Sequence, residues 1–315
     1  MSVLTISNLA TKLRENLKDN PNIFVRKMVS MVSALDYFTV YDDVEDQIDL
    51  TQMITGDPLQ PGNRGSFQPK ANVIDFKARI GKVQNCEIAT KFSEANIESL
   101  YRSHLAKKRQ SKKSNPYDMP FADLMVQKIL ESGSNSLRRN ALYKGALNAA
   151  GTTGSDIFDG VLTHIAADII ATNIPAGNIF NGAAITSSNA EAQVNGVRDL
   201  VISQNPEYMN EDLVCLMAPE NKMHYWENYQ ANHGSLPYNT SFEKRAIEGL
   251  PNCPIIDEIG LVGSDRVIIT TRGNLAFMVD SLNKLNELKF WEEHWDLDMG
   301  AKFIWNALFW LLPIQ

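Results

Sequence analysis

The sequence predicts an α+β fold, organised as one large domain or two ordinary ones. Helical periodicity occupies the middle of the chain, strand patterns fill it from residue 250 onward, and two alternating segments precede the helices. The 315 residues are 44% hydrophobic and 21% charged, close to the averages for globular proteins. A chain of this length and composition can bury a substantial core.

The first 47 residues predict an arm rather than part of a core. Leu9, Leu13 and Leu17 recur every four residues, which predicts a short amphipathic helix over 7–18. The later run DDVEDQID is acidic and typical of a solvated segment. The amino terminus lacks the apolar stretch of a secretory signal. We therefore expect 1–47 to pack against another surface.

An unusual loop follows, GDPLQPGNRGSFQPK at 56–70. It holds three prolines and three glycines, and only Leu59 and Phe67 are large apolar residues. Loops of this length without structure of their own are usually functional or disordered. After it, apolar residues alternate with charged ones, which predicts a half-buried strand continuing beyond Gly81. The apolar positions are Ile74, Phe76, Ala78 and Ile80, then Cys86, Ile88 and Thr90 on one face.

The middle of the chain predicts five helices. Ser93 is a candidate N-cap for EANIESLYRSHL, and Pro120 opens a long helix that runs to about Leu147. The small polar run SGSNS at 132–136 predicts a kink or break in that helix. Three more helices follow from the stripe between Phe158 and Ile169, from the caps Ser188 and Asn189, and from Pro219 with Met223, Trp226 and Tyr229.

The predicted strands include one buried strand, EDLVCLMAP, and a series from residue 250 onward. ArgGlyAsn at 272–274 predicts a hairpin between RVIITT and NLAFMVD. DLDMG, at 296–300, predicts a turn rather than a calcium loop, because Gly300 stands where an oxygen ligand is needed. The last strand is apolar on both faces, which predicts a buried position in a sheet.

Charge is unevenly distributed along the chain. The net charge of -7 argues against a general nucleic-acid or anionic-membrane binder. Residues 101–150, however, hold ten Lys/Arg against three Asp/Glu, a local excess of +7. The segment 106–116 is either a solvated basic connector or a patch that faces phosphate groups. The basic residues are Arg102, Lys107, Lys108, Arg109, Lys112 and Lys113.

The sequence carries no recognisable catalytic or cofactor motif. It has no nucleophile elbow, no phosphate-binding loop, no dinucleotide fingerprint and no zinc-protease motif. Cys86, Cys215 and Cys253 are widely spaced, which predicts buried free thiols. We therefore expect no catalytic residues, no cofactor and no metal, and a structural or binding protein is the favoured class.

The order of these segments resembles the HK-97-type major capsid proteins of tailed bacteriophages. DMPFADLMVQKILESGSNSLRRNALYKGALNAAG resembles the family's spine helix, and EGLPNCPIIDEIGLVGSDRVIITTRGNLAFMVD is the closest local match. The resemblance implies a division of the chain. It has an N-terminal arm (1–47), an extended E-loop (48–92), a P-domain with the spine helix (93–150), a central A-domain (151–280) and P-domain closing strands (281–315).

The resemblance also implies a function and its partners. It implies a protein without an active site that forms an icosahedral shell around a phage genome, in the virion capsid, after assembly in the host cytoplasm. Hexameric and pentameric capsomers, separate scaffolding, portal and decoration proteins, and packaged double-stranded DNA would be its partners, and no membrane is implied. Arg64 and Phe67 would make assembly contacts, and Lys107, Lys108, Arg109, Lys112 and Lys113 would form a lumenal basic patch.

Two other functions fit the residues. An encapsulin-type compartment shell shares the fold and packages cargo enzymes, so a pocket for a cargo peptide would favour it. An enzyme with an unfamiliar α+β site would show polar residues with shifted pKa values in one deep cleft.

Overall fold

The computed structural model describes residues 37–41, 44–55, 57, 59, 70, 73–110, 121–204, 206–233, 246–279, 289–293 and 298–311. The predicted helix over 7–18 lies outside these residues. The α-helices are α1 Glu94–Gln110, α2 Phe121–Ser136, α3 Val161–Ile170, α4 Ala190–Gln204 and α5 Pro219–His233. The strands are β1 Phe38–Tyr41, β2 Gln47–Thr55, β3 Ile74–Lys82, β4 Gln84–Phe92, β5 Leu213–Met217, β6 Ala246–Ile247, β7 Leu250–Asp257, β8 Ile268–Thr271, β9 Leu275–Val279, β10 Lys289–Glu293 and β11 Asp298–Leu311. The α+β prediction is confirmed.

A five-stranded sheet is organised around β11. This strand pairs antiparallel with β4, β9 and β10, and β1 pairs parallel with β9. Pairing with three strands gives β11 the interior position that its apolar sequence predicted. Glu293 pairs with Asp298, and β11 begins at Asp298, so the last three residues of the predicted DLDMG turn are strand. Asp296 and Leu297 lie outside the described residues.

A second sheet has four strands in the order β6-β7-β5-β8. Strand β5 runs parallel to β7 and antiparallel to β8, and all five of its residues are buried. The predicted buried strand is therefore confirmed. One face of this sheet packs with α4 and α5 into a core that includes Val194, Cys215, Tyr225 and Cys253. All three cysteines are buried free thiols, as predicted.

The long helix differs from its prediction. The sequence predicts a kink or break at 132–136, but α2 is unbroken there and continues through Ser136 into a π-helical turn at Leu137–Ala141. Gly133 lies against β4, where a Cβ atom would come within 2.3 Å of the Ile88 side chain. Glycine therefore lets the helix approach the sheet closely rather than ending it. The π-turn, in which Leu142 N donates to Leu137 O at 2.9 Å, widens the helix at its end instead.

The predicted hairpin at 272–274 is wrong in its pairing. The turn itself is present, with Gly273 at a φ of 84° and Asn274 N donating to Thr271 O at 3.2 Å. However, β8 pairs with β5 and β9 pairs with β1 and β11, so the turn passes the chain from one sheet to the other. Strand β1 lies at the edge of the five-stranded sheet, beside β9. Thr39 Oγ1 of β1 donates to Gly273 O at 2.8 Å.

Two further expectations are corrected by burial. Met223 is 54% exposed, and the buried residues of α5 are Asn221, Tyr225 and Asn228. Asn221 Nδ2 donates to Ser264 O at 2.9 Å, so hydrogen bonding determines this buried face. Tyr37 and Phe38 belong to the main hydrophobic core, so the end of the predicted arm is part of the subunit body. Among the described residues, no helix is both long and apolar enough to cross a membrane.

Candidate assembly surface

Strands β2 and β3 form a two-stranded antiparallel ribbon that belongs to neither large sheet. Nine residue pairs join them, from Gln47↔Lys82 to Thr55↔Ile74. An isolated two-stranded hairpin is at best marginally stable in water. The ribbon therefore needs a further surface to cover one of its faces.

One face of the β2–β3 ribbon carries an uncovered apolar stripe, formed by Ile74, Phe76 and Ile80. Their exposed fractions are 56%, 66% and 55%. The alternation predicted a half-buried strand; the strand is confirmed, but these three apolar side chains are exposed. Full burial of such a side chain contributes about 1.5–3 kcal/mol, so covering the exposed part of each would contribute roughly 1–2 kcal/mol. The apolar stripe has the properties of a surface that another protein chain covers.

The described residues beside the proline-rich loop contact one another. Leu59 N donates to Asp57 Oδ1 at 3.0 Å, and Lys70 Nζ donates to Asp57 O at 2.8 Å. The Leu59 side chain is 80% exposed. These contacts join the two ends of the 56–70 segment, and none of the three residues belongs to either large sheet.

A groove of about 1120 Å³ lies beside the ribbon, between α3, α4 and β8. Asp49 and Thr51 of β2 contribute to its wall, and most of the remaining wall is aliphatic. Burial raises the pKa of Tyr208 in the groove wall, and the nearby Glu211 and Glu207 charges raise it further. The described lining does not bring a nucleophile, a base and an orienting group together.

A buried polar network was not predicted from the sequence. The carboxylate of Glu258 is fully buried, and Arg138 donates to it from Nη2 at 2.8 Å and from Nε at 3.3 Å. Tyr37 also donates its hydroxyl to Glu258, and Tyr143 donates to Tyr37 at 3.4 Å. Glu258 is 120 positions from Arg138 and 221 from Tyr37, so no local pattern could reveal the network.

The Glu258 network stabilises the junction of three elements. Tyr37 precedes β1, Arg138 lies in the π-turn, and Glu258 follows β7. Burial raises the pKa of Tyr37, and the negative charge of Glu258 raises it further. Burial also raises the pKa of Tyr143, so both hydroxyls stay protonated and can donate. These groups lie in the core rather than in a cleft, and their role is structural.

No protein-family model and no curated protein matches the sequence. Solved structures do match the fold along most of the chain. A chain of the satellite phage P4 procapsid, a structure that includes the size determination (Sid) protein, aligns with a TM-score of 0.52 and 13% identity, covering 90% of this chain and 93% of that one. The capsid of the native GTA particle aligns with a TM-score of 0.50 and 12% identity, covering 90% and 86%. The capsid of the empty GTA particle aligns with a TM-score of 0.51 and 12% identity, covering 88% and 91%.

This chain has the HK-97-type fold. The prediction from segment order is thereby confirmed at the level of fold. Because sequence identity is 12–13%, these alignments establish the fold of the chain alone.

The structure describes only some of the residues that the sequence predicts as assembly contacts or as part of the basic patch. Arg64 and Phe67 lie outside the described residues, as do Lys112 and Lys113. The apolar stripe, which the structure shows to be exposed, was present in the sequence as a strand pattern. It was missed as a contact site because alternation alone does not show which surface covers a strand.

The basic segment is partly helical rather than a connector throughout. Helix α1 extends to Gln110, so Lys107, Lys108 and Arg109 lie in its last turn. Glu98 near its start pairs with Arg102 at 2.8 Å. Acidic residues early and basic residues late both favour a helix through its dipole, which explains the extension.

Proposed function

We propose that this chain is a major capsid protein of a tailed phage, which self-assembles into the icosahedral shell that encloses the genome. The alignment with phage P4 procapsid over 90% of this chain carries the proposal. The uncovered apolar stripe on the β2–β3 ribbon supports it, because a shell subunit must leave such surfaces for its neighbours.

The proposal assigns a role to each segment. Residues 1–47 form the arm, 48–92 the E-loop, 93–150 and 281–315 the P-domain, and 151–280 the A-domain. Two strand pairings refine this division. Strand β1, at the end of the arm, joins the five-stranded sheet, and β4, at the end of the E-loop segment, pairs with β11 of the P-domain. The β2–β3 ribbon is then the part of the E-loop that reaches a neighbouring subunit, with Arg64 and Phe67 near its tip.

The same proposal defines the partners and the location. The subunits form hexameric and pentameric capsomers, and separate scaffolding, portal and decoration proteins complete a shell that is assembled in the host cytoplasm. Double-stranded DNA is packaged through non-specific contacts. The proposed end point is the virion capsid.

The alternatives have less support. An encapsulin-type compartment shares the fold, but the matched structures named above are capsids of phage P4 and GTA particles. An enzyme would gather several groups with shifted pKa values in one cleft, whereas Tyr208 lies in the groove and Tyr37 and Tyr143 lie in the core. We propose a protein without catalytic activity.

Electron microscopy of the purified, expressed chain tests the function directly. We expect closed shells or isolated capsomers with five-fold and six-fold symmetry, because the uncovered ribbon must find a neighbouring subunit. Particles that contain only this chain would support self-assembly. A protein that stays monomeric under every assembly condition, with or without phage scaffolding protein, would contradict the proposal.

Neutralising the basic segment should impair genome packaging without impairing shell assembly. The full variant replaces Lys107, Lys108, Arg109, Lys112 and Lys113 by glutamine, which removes positive charge that would offset DNA phosphates. We expect normal empty shells and fewer filled particles, measured by the DNA content of purified particles.

A two-charge comparison controls for the change in net charge. Lys107→Gln with Lys108→Gln should lower DNA content, whereas Lys128→Gln with Arg266→Gln, which removes exposed charges elsewhere, should not. Equal DNA content in both double variants would exclude a specific role for the basic segment.

A further inference from the structure

Three metal-ligating side chains converge in the described A-domain region, at the meeting point of α4, α5 and the turn between β6 and β7. They are Glu191, His233 and Glu248, whose ligand atoms all lie within 4.8 Å of one another. Glu191 lies in the first turn of α4, and His233 is the last residue of α5. The three come from different elements, so the fold, rather than sequence proximity, brings them together.

Glu191 is held in one orientation. It is 7% exposed, its Oε2 accepts from Asn232 Nδ2 at 2.6 Å, and its Oε1 lies 2.7 Å from His233 Nε2. Its backbone N donates to Asn228 Oδ1 at 2.9 Å. A carboxylate fixed in this way is pre-organised, because little side-chain freedom remains to be lost when a ligand binds.

The other two side chains are also positioned from outside the trio. The His233 ring stacks on Tyr229 with centroids 4.4 Å apart, which directs Nε2 toward Glu191. The turn that carries Glu248 is held by Arg198 Nη1, which donates to Glu248 O at 2.8 Å. Asp199 accepts from Arg198 Nε and Nη2 at 2.9 and 2.8 Å, so the guanidinium charge is largely balanced by Asp199.

The charges leave one carboxylate in excess. A His–Glu ion pair needs only Glu191, yet the Glu248 carboxylate also lies beside the imidazole and has no other partner in the described part of the chain. The hydrogen bond to Glu191 raises the pKa of His233, with further contributions from Glu191 and Glu248 charge. Burial alone would raise the pKa of Glu191, but hydrogen bonds from Asn232 and His233 lower it. These hydrogen bonds favour the ionised form of the Glu191 carboxylate.

We propose that Glu191, His233 and Glu248 form a binding site for a divalent transition-metal ion of the Zn²⁺ type. One imidazole nitrogen with carboxylate oxygens is a ligand set that such ions accept, at distances of about 2.0–2.2 Å. Two ligand atoms of one tetrahedral ion lie about 3.4 Å apart at these distances. Ion binding therefore replaces the 2.7 Å hydrogen bond between His233 Nε2 and Glu191 Oε1 and draws the exposed Glu248 side chain inward by up to about 1.4 Å. Water completes the coordination.

Metal titration of the unassembled full chain, free of any affinity tag, tests the site. Isothermal titration with ZnCl₂ should show one saturable site per chain, and Zn²⁺ should raise the melting temperature. Co²⁺, used as a spectroscopic probe, should give visible absorption bands of a low-symmetry site with nitrogen and oxygen ligands. Because Zn²⁺ binds the deprotonated imidazole, protons compete with the ion, and the affinity should fall as the pH decreases.

Matched variants separate the site from adventitious binding. His233→Ala and Glu248→Gln should each weaken Zn²⁺ binding at least tenfold, and both residues are exposed, so folding is retained. His224→Ala with Glu227→Gln removes a different His–Glu pair on α5, 3.6 Å apart, and should leave binding unchanged. Equal Zn²⁺ affinity of the His233→Ala variant and the wild-type protein, or no Zn²⁺ binding by the wild type, would overturn the proposal. Since the titration uses single subunits, its outcome is independent of shell assembly.

Discussion

Replacing Glu258 by alanine is expected to destabilise the subunit by about 3–5 kcal/mol, the usual cost of removing one partner from a buried ion pair. The variant removes the acceptor of Tyr37 and the counter-ion of Arg138, and leaves a cavity at the junction of β1, the π-turn and β7. Urea unfolding of unassembled subunits, followed by circular dichroism, measures the change. Arg138→Ala should cost at least as much, because it leaves the fully buried Glu258 carboxylate without its counter-ion.

The adjacent carboxylate is the control for the Glu258 variant. Asp257 pairs with Lys222 and its side chain is 53% exposed, so Asp257→Ala should cost less than about 1 kcal/mol. Equal costs for the two variants would mean that the network does not stabilise the junction. Alkaline pH provides a second readout, because the raised pKa values of Tyr37 and Tyr143 mean that the unfolded chain loses these protons first. Stability should therefore decline as the pH rises past about 10.

Replacing residues 56–70 by a short Gly-Ser turn is expected to abolish shell formation and to leave the melting temperature of the single subunit nearly unchanged. The described residues at this site, Asp57, Leu59 and Lys70, are exposed and contact one another rather than either core. Phe67→Ala should weaken assembly, because an aromatic side chain near a loop tip suits a neighbouring groove. Thermal denaturation and electron microscopy give the two readouts.

The apolar stripe allows a single-residue version of the same experiment. Phe76 is 66% exposed, so Phe76→Ser should leave subunit stability within about 0.5 kcal/mol. It should still prevent shells from forming. Met223→Ser removes a similarly exposed apolar side chain from α5 and serves as the control. If Phe76→Ser shells form normally, or if the 56–70 replacement unfolds the subunit, the ribbon is an ordinary internal element.

Periodic patterns predicted the class of fold and most of its elements. The alternation at Ile74, Phe76 and Ile80 correctly indicated a strand with one apolar face. It could not show that this face is uncovered, because periodicity describes one strand and not its neighbours. Gly133 shows the same limit. Its low helix propensity favours a helix break, but its missing side chain leaves room for Ile88 of β4, a contact that the local sequence does not show.

Long-range pairing was the part that local chemistry could not supply. ArgGlyAsn at 272–274 has the residues of a tight turn, yet β1 and β5 determine which strands it joins. Likewise, Glu191 and His233 are 42 positions apart, and neither has a sequence context that suggests its partner. Contacts of this kind depend on the folded arrangement of elements, so they appear only when tertiary packing is known.

The short crossover at 272–274 limits how the two sheets can move in relation to each other. Three extended residues span at most about 10 Å, so sliding one sheet past the other by a larger distance would require strand ends to separate. Gly273, with its φ of 84°, fixes the direction of the turn, and Tyr37 O accepts a hydrogen bond from Gly273 N at 3.2 Å. Residues of both sheets, Leu216 of β5 and Leu275 of β9 among them, also share one hydrophobic core. A change of subunit shape that leaves both sheets intact must therefore keep the ends of β8 and β9 close together, with the crossover as a short tether between them.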